Sequence, residues 1–244
     1  MLLSGPRQVG KTTISRALFE KAQYLSYDLS EHAQILLKKE WSRDVDLVIF
    51  DEIHKMNRWK AWIKGIFDVE GVRPRLMITG SARLETFTNV GDSLAGRFFA
   101  YRLHPLDLKE LMQADPSQEP RALLDRLLQF SGFPEPFLEN DIKFYRRWEK
   151  AHLDVILRED FLGLMSITDI TKLRVLIELL RDRVSSPCSY SSLAEDLQVS
   201  YKTVKHWLEL LERLYIVFRA PPPIPKTSLA ASPKCPNTIF IMRP

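Results

Sequence analysis

The chain has 244 residues, a length that allows one or two domains. Its hydrophobic content of 45% is enough to fill a core, and its charged content of 27% is not that of a disordered chain. The net charge of +4 permits contact with nucleic acid but argues for it only weakly. No apolar run approaches the about 18 residues that span a bilayer, so no membrane partner is expected.

Cysteine usage indicates a reducing compartment. Cys188 and Cys235 lie far apart in the sequence, and neither has the spacing of a metal site. No signal peptide is visible, because the N-terminus runs directly into a glycine loop. The sequence therefore predicts a cytoplasmic location.

The first predicted element is a short buried strand over residues 1–4, which leads into the string GPRQVGKT, Gly5 to Thr12. The string fits the pattern G-x-x-x-x-G-K-[ST], and a helix is predicted from Thr13 to Lys21. A strand, a glycine loop and a helix N-terminus aim backbone N–H groups inward, which suits a polyphosphate. Lys11 is expected to reach the phosphates, and the Thr12 hydroxyl to bind Mg²⁺. The predicted nucleotide-binding residues are Gly5, Pro6, Arg7, Gln8, Val9, Gly10, Lys11, Thr12 and Thr13.

A second motif follows two predicted strands later. After a strand at Tyr24–Leu29, the apolar run Asp46–Phe50 predicts a buried parallel strand that ends in Asp51 and Glu52. Acids at this end of a strand lie where α/β sheets bind ligands. Asp51 is expected to hold the Mg²⁺ shell through water, and Glu52 to deprotonate the attacking water. The alternative is a helix N-cap followed by a first-turn acid, which the pair also suits.

The remaining predicted elements complete an α/β core. Helices are predicted at Glu31–Lys39 and Lys55–Phe67, and strands at Arg75–Thr79 and Phe98–Leu103. Strands that alternate with helices predict a mostly parallel five-stranded sheet in a three-layer sandwich, the P-loop NTPase fold class. The order of the motifs resembles the P-loop ATPase branch that has an extra strand between the two motif strands.

Two further residues are candidates for contact with the reacting phosphate. Ser81 or Thr79, at the tip of a predicted strand, could touch the γ-phosphate or the attacking water, although a cap or turn explains them equally well. Arg97 follows a small, loop-like run and could act as an arginine finger, in cis or from a neighbouring subunit. A surface arginine in a local ion pair is the alternative.

The pattern changes after the ATPase core, which is predicted over residues 1–104. Residues 105–168 are predicted to form a helical lid, and residues 169–219 a winged helix-turn-helix. The proline-rich residues 220–244 are predicted to form a poorly ordered tail, in which the apolar run Asn237–Met242 has no evident partner.

The third helix of the predicted winged helix-turn-helix, Tyr201–Leu214, carries basic side chains on its outer face. Lys202, Lys205 and His206 are candidate contacts to DNA phosphates. The module from Lys172 to Arg219 has eight Lys/Arg and six Asp/Glu, a net charge of only +2. Contact with another protein therefore stays open as an alternative to DNA.

These residues together resemble a prokaryotic AAA+-like ATPase family, in which a P-loop ATPase domain precedes a winged helix and a C-terminal domain of unknown function. The resemblance covers Leu2 to about Pro223. The matching pieces are GPRQVGKTT, VIFDEIHKM, ITGSA, SLAGR, HPLDLKEL, GFPEP and SYSSLAEDLQVSYKTVKHWLELLERLYIV. The resemblance implies ATP and Mg²⁺, a switch role, Ser81 as a sensor and Arg97 as a finger. The family's N-terminal helical segment and nuclease-like C-terminal domain have no counterpart here, so the chain is expected to be clipped at both ends.

The expected function is ATP binding, with Mg²⁺-dependent hydrolysis that moves the lid and the winged helix. The alternatives are an ATP-bound DNA regulator without turnover and an inactive fragment. A GTPase ranks below these, because the base-reading string Asn-Lys-x-Asp is absent from the sequence. A partner protein or self-association also stays open, since an arginine finger acting between subunits requires assembly.

Overall fold

The computed structural model of the protein describes residues 1–71, 73–80, 98–161, 167–183, 189–220 and 238–241. The chain divides into two compact units, Met1–Tyr145 and Arg146–Pro244. This boundary falls within the segment predicted as a lid. The finer division into four segments stays a prediction.

The first unit is built on one parallel sheet. Its strands are β1 (Leu2–Ser4), β2 (Ala22–Ser26), β3 (Leu47–Asp51), β4 (Arg75–Thr79) and β5 (Ala100–Arg102). The strand order is β2-β3-β4-β1-β5, and each neighbouring pair is parallel. The predicted five-stranded parallel sheet is therefore confirmed. Since β4 lies between β1 and β3, one strand separates the two motif strands, as predicted.

Alternating side chains of β3 contribute to two separate buried clusters. In β3, Val48 and Phe50 join one buried cluster, together with Trp41 and Trp59. Leu47 and Ile49 belong to a second cluster on the other face. Successive side chains of a strand point to opposite faces, so a continuous apolar run is covered on both sides.

Among the described residues, seven α-helices begin within the first unit. They are α1 (Lys11–Ala17), α2 (Ser30–Lys38), α3 (Trp59–Glu70), α4 (Leu108–Ala114), α5 (Pro120–Phe130), α6 (Pro134–Glu139) and α7 (Ile142–Val155). Helix α7 crosses the boundary between the units and continues as a π-helical segment, Ile156–Phe161.

Two predicted helices differ from the structure. The helix predicted to begin at Thr13 begins at Lys11 and ends at Ala17; its apolar Ile14 is exposed and its Ser15 is fully buried. The helix predicted from Lys55 begins at Trp59, after a 3₁₀ turn at Ile53–Lys55. Chain geometry explains the later start, because Arg58, the residue before α3, has a left-handed φ of 55°.

The second unit contains three further helices and a two-stranded sheet. Its elements are α8 (Ile167–Asp182), α9 (Tyr190–Leu197), α10 (Tyr201–Arg213), β6 (Val217–Ala220) and β7 (Thr238–Ile241). One buried cluster joins the helices, with Trp207 and Leu173 among its members. Strand β7 runs antiparallel to β6. The apolar run near the C-terminus thus has a partner, contrary to expectation, because an antiparallel partner distant in sequence leaves no local signal.

The turn between α9 and α10 is built as its sequence indicates. Gln198 ends α9 with a left-handed φ of 53°, and the Ser200 hydroxyl accepts a hydrogen bond from the Thr203 amide at 3.1 Å. Ser189 lies at the N-cap position of α9, and its side chain makes no capping hydrogen bond. Among the described residues, no helix combines the length and the apolar character that crossing a bilayer requires.

Candidate nucleotide-binding site

The loop between β1 and α1 has a backbone that requires glycine. Gly5 has φ 148° and Gly10 has φ 94°, both in the region that side chains disfavour. A Cβ on Gly5 would lie only 2.3 Å from the Leu103 carbonyl oxygen. Pro6 and Val9 are buried and anchor the loop, whereas Gln8 is exposed. The loop therefore packs so closely against Leu103, the residue after β5, that Gly5 has no room for a side chain.

Lys11 lies at the first position of α1 and its ammonium group turns back over the loop. Its Nζ donates to the carbonyl oxygens of Gly5, at 3.1 Å, and Pro6, at 2.5 Å. The buried Ser15 hydroxyl donates to the Lys11 carbonyl at 2.7 Å and fixes the backbone there. The N-cap residue, Gly10, has no side chain that could accept a hydrogen bond from the first-turn amides of α1. A lysine ammonium beside such amides suits a polyphosphate.

Asp51 ends β3 with both carboxylate oxygens hydrogen-bonded. In the sheet it pairs with Thr79 on β4 and with Ser26 on β2. The hydroxyl of Thr79, which is fully buried, donates to Oδ1, and the Tyr24 hydroxyl donates to Oδ2. Each carboxylate oxygen has two acceptor sites, so each keeps one for a metal-bound water. Together with the Thr12 hydroxyl, this hard oxygen set fits Mg²⁺.

Glu52 directly follows, in a left-handed conformation with φ 56°. Its backbone N–H donates to the Thr79 carbonyl at 3.0 Å, which ties the ends of β3 and β4 together. Burial raises the pKa of Glu52, although the Lys55 cation, 3.5 Å from Oε2, acts in the opposite direction. Glu52 occupies the cap position of the following 3₁₀ turn without a side-chain capping bond, so a capping role does not account for it.

Lys55 connects Glu52 to the end of β2. Its Nζ donates to both carboxylate oxygens of Asp28, at 2.7 and 2.6 Å. Burial alone would lower the pKa of Lys55, but these hydrogen bonds and the attraction of Glu52 raise it overall. The cation is therefore shared by two carboxylates from different strand ends, and it keeps a positive charge beside the candidate general base.

The sequence analysis missed Tyr24 and Lys55 as members of this site. No sequence signal indicates the contact of Tyr24: the pairing of Tyr24 with Ile49 places Tyr24 and Asp51 on one face of the sheet, and only the structure gives this register. Ser81 and Arg97, the candidate sensor and finger, lie outside the described residues. Thr79, the alternative to Ser81, uses its hydroxyl to hold Asp51.

The candidate DNA contacts lie on the exposed face of α10. Lys202, Lys205 and His206 are all exposed, and Val204 and Trp207 are buried on the opposite face. This separation follows from the helical period of the apolar residues.

Two family models match separate parts of the chain. Residues 1–112 match the family model described as AAA domain. This match supports assignment of the segment to the AAA+ P-loop ATPases and suggests ATP binding. Residues 121–235 match the model of a domain of unknown function, DUF8612.

Relatives among curated proteins are distant and longer. An uncharacterized protein of Methanocaldococcus jannaschii is 24% identical over 216 residues, covering 82% of this chain and 48% of its own length. One from Mycobacterium tuberculosis is 24% identical over 226 residues, covering 91% of this chain and 49% of its own length. One from Haemophilus influenzae is 23% identical over 222 residues, covering 83% of this chain and 52% of its own length. The chain spans about half the length of these relatives.

Two solved structures superimpose loosely on this chain. A RuvB variant of Thermotoga maritima has 18% sequence identity and a TM-score of 0.41, covering 90% of this chain and 81% of its own. The Orc1 protein of Aeropyrum pernix, in a structure with DNA, has 13% identity and a TM-score of 0.43, covering 100% of this chain and 83% of its own.

Proposed function

We propose that the first unit binds ATP with Mg²⁺ at loop residues 5–13 and hydrolyses it. The single observation that supports this most is the state of Asp51, whose carboxylate is oriented by two hydroxyl donors at the end of β3. Asp51 is partly buried, and removing a carboxylate from water costs free energy unless it is hydrogen-bonded, so the two hydroxyls both stabilise it and fix its orientation. The match to the AAA domain model supports the same conclusion.

The residues of the site have distinct roles in this proposal. Lys11 donates to the phosphates in place of its present carbonyl partners. Glu52 accepts a proton from the attacking water, and burial raises its pKa, which makes the carboxylate a stronger base than an ordinary glutamate. Ser81 and Arg97 are proposed to contact the γ-phosphate. Thr12, and Asp51 through water, would hold Mg²⁺, which supplies charge neutralisation at the phosphates.

Hydrolysis is proposed to act as a conformational switch. The helical segment 105–168 would respond to the nucleotide as a lid, and residues 169–219 would respond as a winged helix-turn-helix. The three helices α8–α10 followed by the β6–β7 pair support the second part of this proposal.

Calorimetry and a phosphate-release assay test the proposal together. The parent chain is titrated with ATP, ADP and GTP, with Mg²⁺ and with a chelator, and its release of phosphate from ATP is measured. We expect ATP and ADP to bind, Mg²⁺ to strengthen binding of ATP, and phosphate to be released. A chain that binds none of the nucleotides would contradict the proposal, and binding without release would restrict it to an ATP-binding regulator.

A second candidate function, an ATP-bound DNA regulator without turnover, is supported by the exposed basic face of α10. Lys202, Lys205 and His206 share this face. However, the exposed Glu195 and Asp196 on α9 weaken the basic potential of the unit.

Salt-dependent DNA binding separates this candidate from the first. If the face contacts phosphates, replacing Lys202 and Lys205 with alanine should reduce the salt slope of binding by roughly two. Retention of no DNA at low salt would eliminate the candidate.

A further inference from the structure

The carboxylate that is proposed to hold the Mg²⁺ shell receives one hydrogen bond from a strand without a nucleotide motif. Tyr24 lies at the centre of β2, where it pairs with Ile49. Side chains two residues apart on a strand share a face, so Tyr24 and Asp51 are diagonal neighbours on one face of the sheet. The phenol is long enough to reach across this diagonal, and its hydroxyl donates to Asp51 Oδ2.

Tyr24 also contacts helix α1. The guanidinium of Arg16, on α1, lies 4.0 Å from the centre of the tyrosine ring and holds it on the helix side of the sheet. The Thr12 and Ser26 side chains lower the pKa of the phenol, against the larger effects of burial and Asp51. Tyr24 thus lies between α1 and the end of β3, the two elements from which the proposed metal ligands come.

Burial and the hydrogen bond to Asp51 raise the pKa of Tyr24 to about 12. The hydroxyl therefore keeps its proton at neutral pH and does not add a negative charge to the site.

We propose that Tyr24 is a positioning residue for the metal, which sets the orientation of the Asp51 carboxylate relative to Thr12. This role rests on the proposed function, because it concerns the same metal-nucleotide site. Thr79 holds only Oδ1 of Asp51, so without the phenol hydroxyl the carboxylate can rotate about its remaining hydrogen bond. The effect falls on the metal and not on the phosphate contacts of Lys11, whose ammonium group donates to loop carbonyls.

The test compares nucleotide binding with and without metal in the full chain. Tyr24→Phe removes only the hydroxyl and keeps the ring beneath Arg16. Tyr101→Phe, on the exposed β5, makes the same chemical change away from Asp51 and is the matched control. ATP affinity is measured by calorimetry in a chelator and at increasing Mg²⁺, and repeated with Mn²⁺; thermal unfolding is recorded for each variant.

We expect Tyr24→Phe to bind ATP in the chelator as the parent does, within about twofold, and to need about five- to tenfold more Mg²⁺ for half of the metal-dependent gain in affinity. Tyr101→Phe should match the parent in both buffers. An unchanged Mg²⁺ requirement in Tyr24→Phe would overturn the role, and a lower requirement would do so too, since the phenol would then obstruct the metal. Weaker binding in the chelator alone would identify a structural role and also overturn it. A parent chain that binds no ATP in either buffer would instead remove the proposed function on which the role rests.

Discussion

The polar groups at the carboxyl end of the sheet bind one another, whereas those on the outer face of α10 are exposed to solvent. Asp51 has hydroxyl partners from two neighbouring strands, and Lys55 is shared by Asp28 and Glu52. Lys202 and Lys205 are exposed on a helix whose other face is buried. Polar groups that hold one another in one arrangement constrain function more than separately solvated groups do.

The difference explains why the first unit supports a specific chemistry and the second supports only a choice of partners. A solvated polar face is compatible with DNA, with protein and with no partner at all. At the carboxyl end of the sheet, a carboxylate, two hydroxyls and a lysine are held in one arrangement, which supports the proposed site for a metal and a nucleotide.

The largest effect on ATP binding is expected from removal of Lys11, the lysine of the loop. Lys11→Ala should weaken ATP binding by about 100-fold or more, because a charge-assisted contact to the phosphates is lost. Lys109→Ala, on the exposed side of α4, is the matched control and should bind like the parent. Calorimetry measures both. ATP affinity that is equal in the two variants would show that the loop does not grip the nucleotide.

The next largest effect should come from the buried glutamate. Glu52→Gln should lower kcat for phosphate release by about 100-fold or more while ATP still binds, because the amide cannot accept the proton of the water. The exposed Glu40→Gln is the control. Steady-state kinetics and calorimetry on the same samples separate turnover from binding. Full turnover in Glu52→Gln would assign the base to another residue.

Glycine substitutions test whether packing holds the loop. Gly5→Ala should lower the free energy of unfolding by about 3 kcal/mol, because its Cβ would overlap the Leu103 carbonyl. Gly65→Ala is a sharp control: Gly65 lies within α3 with nothing within 4 Å of an added Cβ, and alanine there should stabilise the chain by up to about 1 kcal/mol. Denaturant unfolding measures both. Equal stabilities would mean that the loop relaxes freely.

The pH dependence of turnover can sharpen the assignment of Glu52. Its raised pKa means that the carboxyl is protonated, and inactive as a base, up to a higher pH than an ordinary glutamate. The acid limb of kcat should move to still higher pH in Lys55→Met, which removes the cation that favours the ionised form. Lys55→Arg keeps the charge and should leave the limb near its parental position. A limb that stays in place in Lys55→Met would argue against Glu52 as the titrating base.

The smallest effect is expected on the exposed face of α10. The double change of Lys202 and Lys205 to alanine should alter ATP affinity by less than about twofold and leave the unfolding midpoint nearly unchanged, because both side chains are exposed. A large loss of ATP affinity would contradict the contrast between the two regions, since the exposed face of α10 would then take part in nucleotide binding.

Much of the first unit could be predicted from the sequence because its signals are local. The loop pattern, the apolar run of β3 and the helical spacing of Trp59, Ile63 and Ile66 each lie within a short window. Element ends were less predictable: β2 ends at Ser26, three residues earlier than expected, and α1 begins two residues earlier. The ends of helices and strands depend on capping contacts and backbone angles, which the sequence indicates only weakly.

By itself, the sequence determined the phosphate loop, the acidic strand end and the alternation of strands with helices, because each is a short-range property of neighbouring residues. Only the tertiary structure decided that Asp51 has Tyr24 and Thr79 as partners and that Lys55 bridges Asp28 and Glu52. Apart from the local pair Lys55–Glu52, these contacts join segments more than twenty residues apart through the register of the parallel sheet. That register is set by the packing of the apolar faces, not by the polar residues themselves.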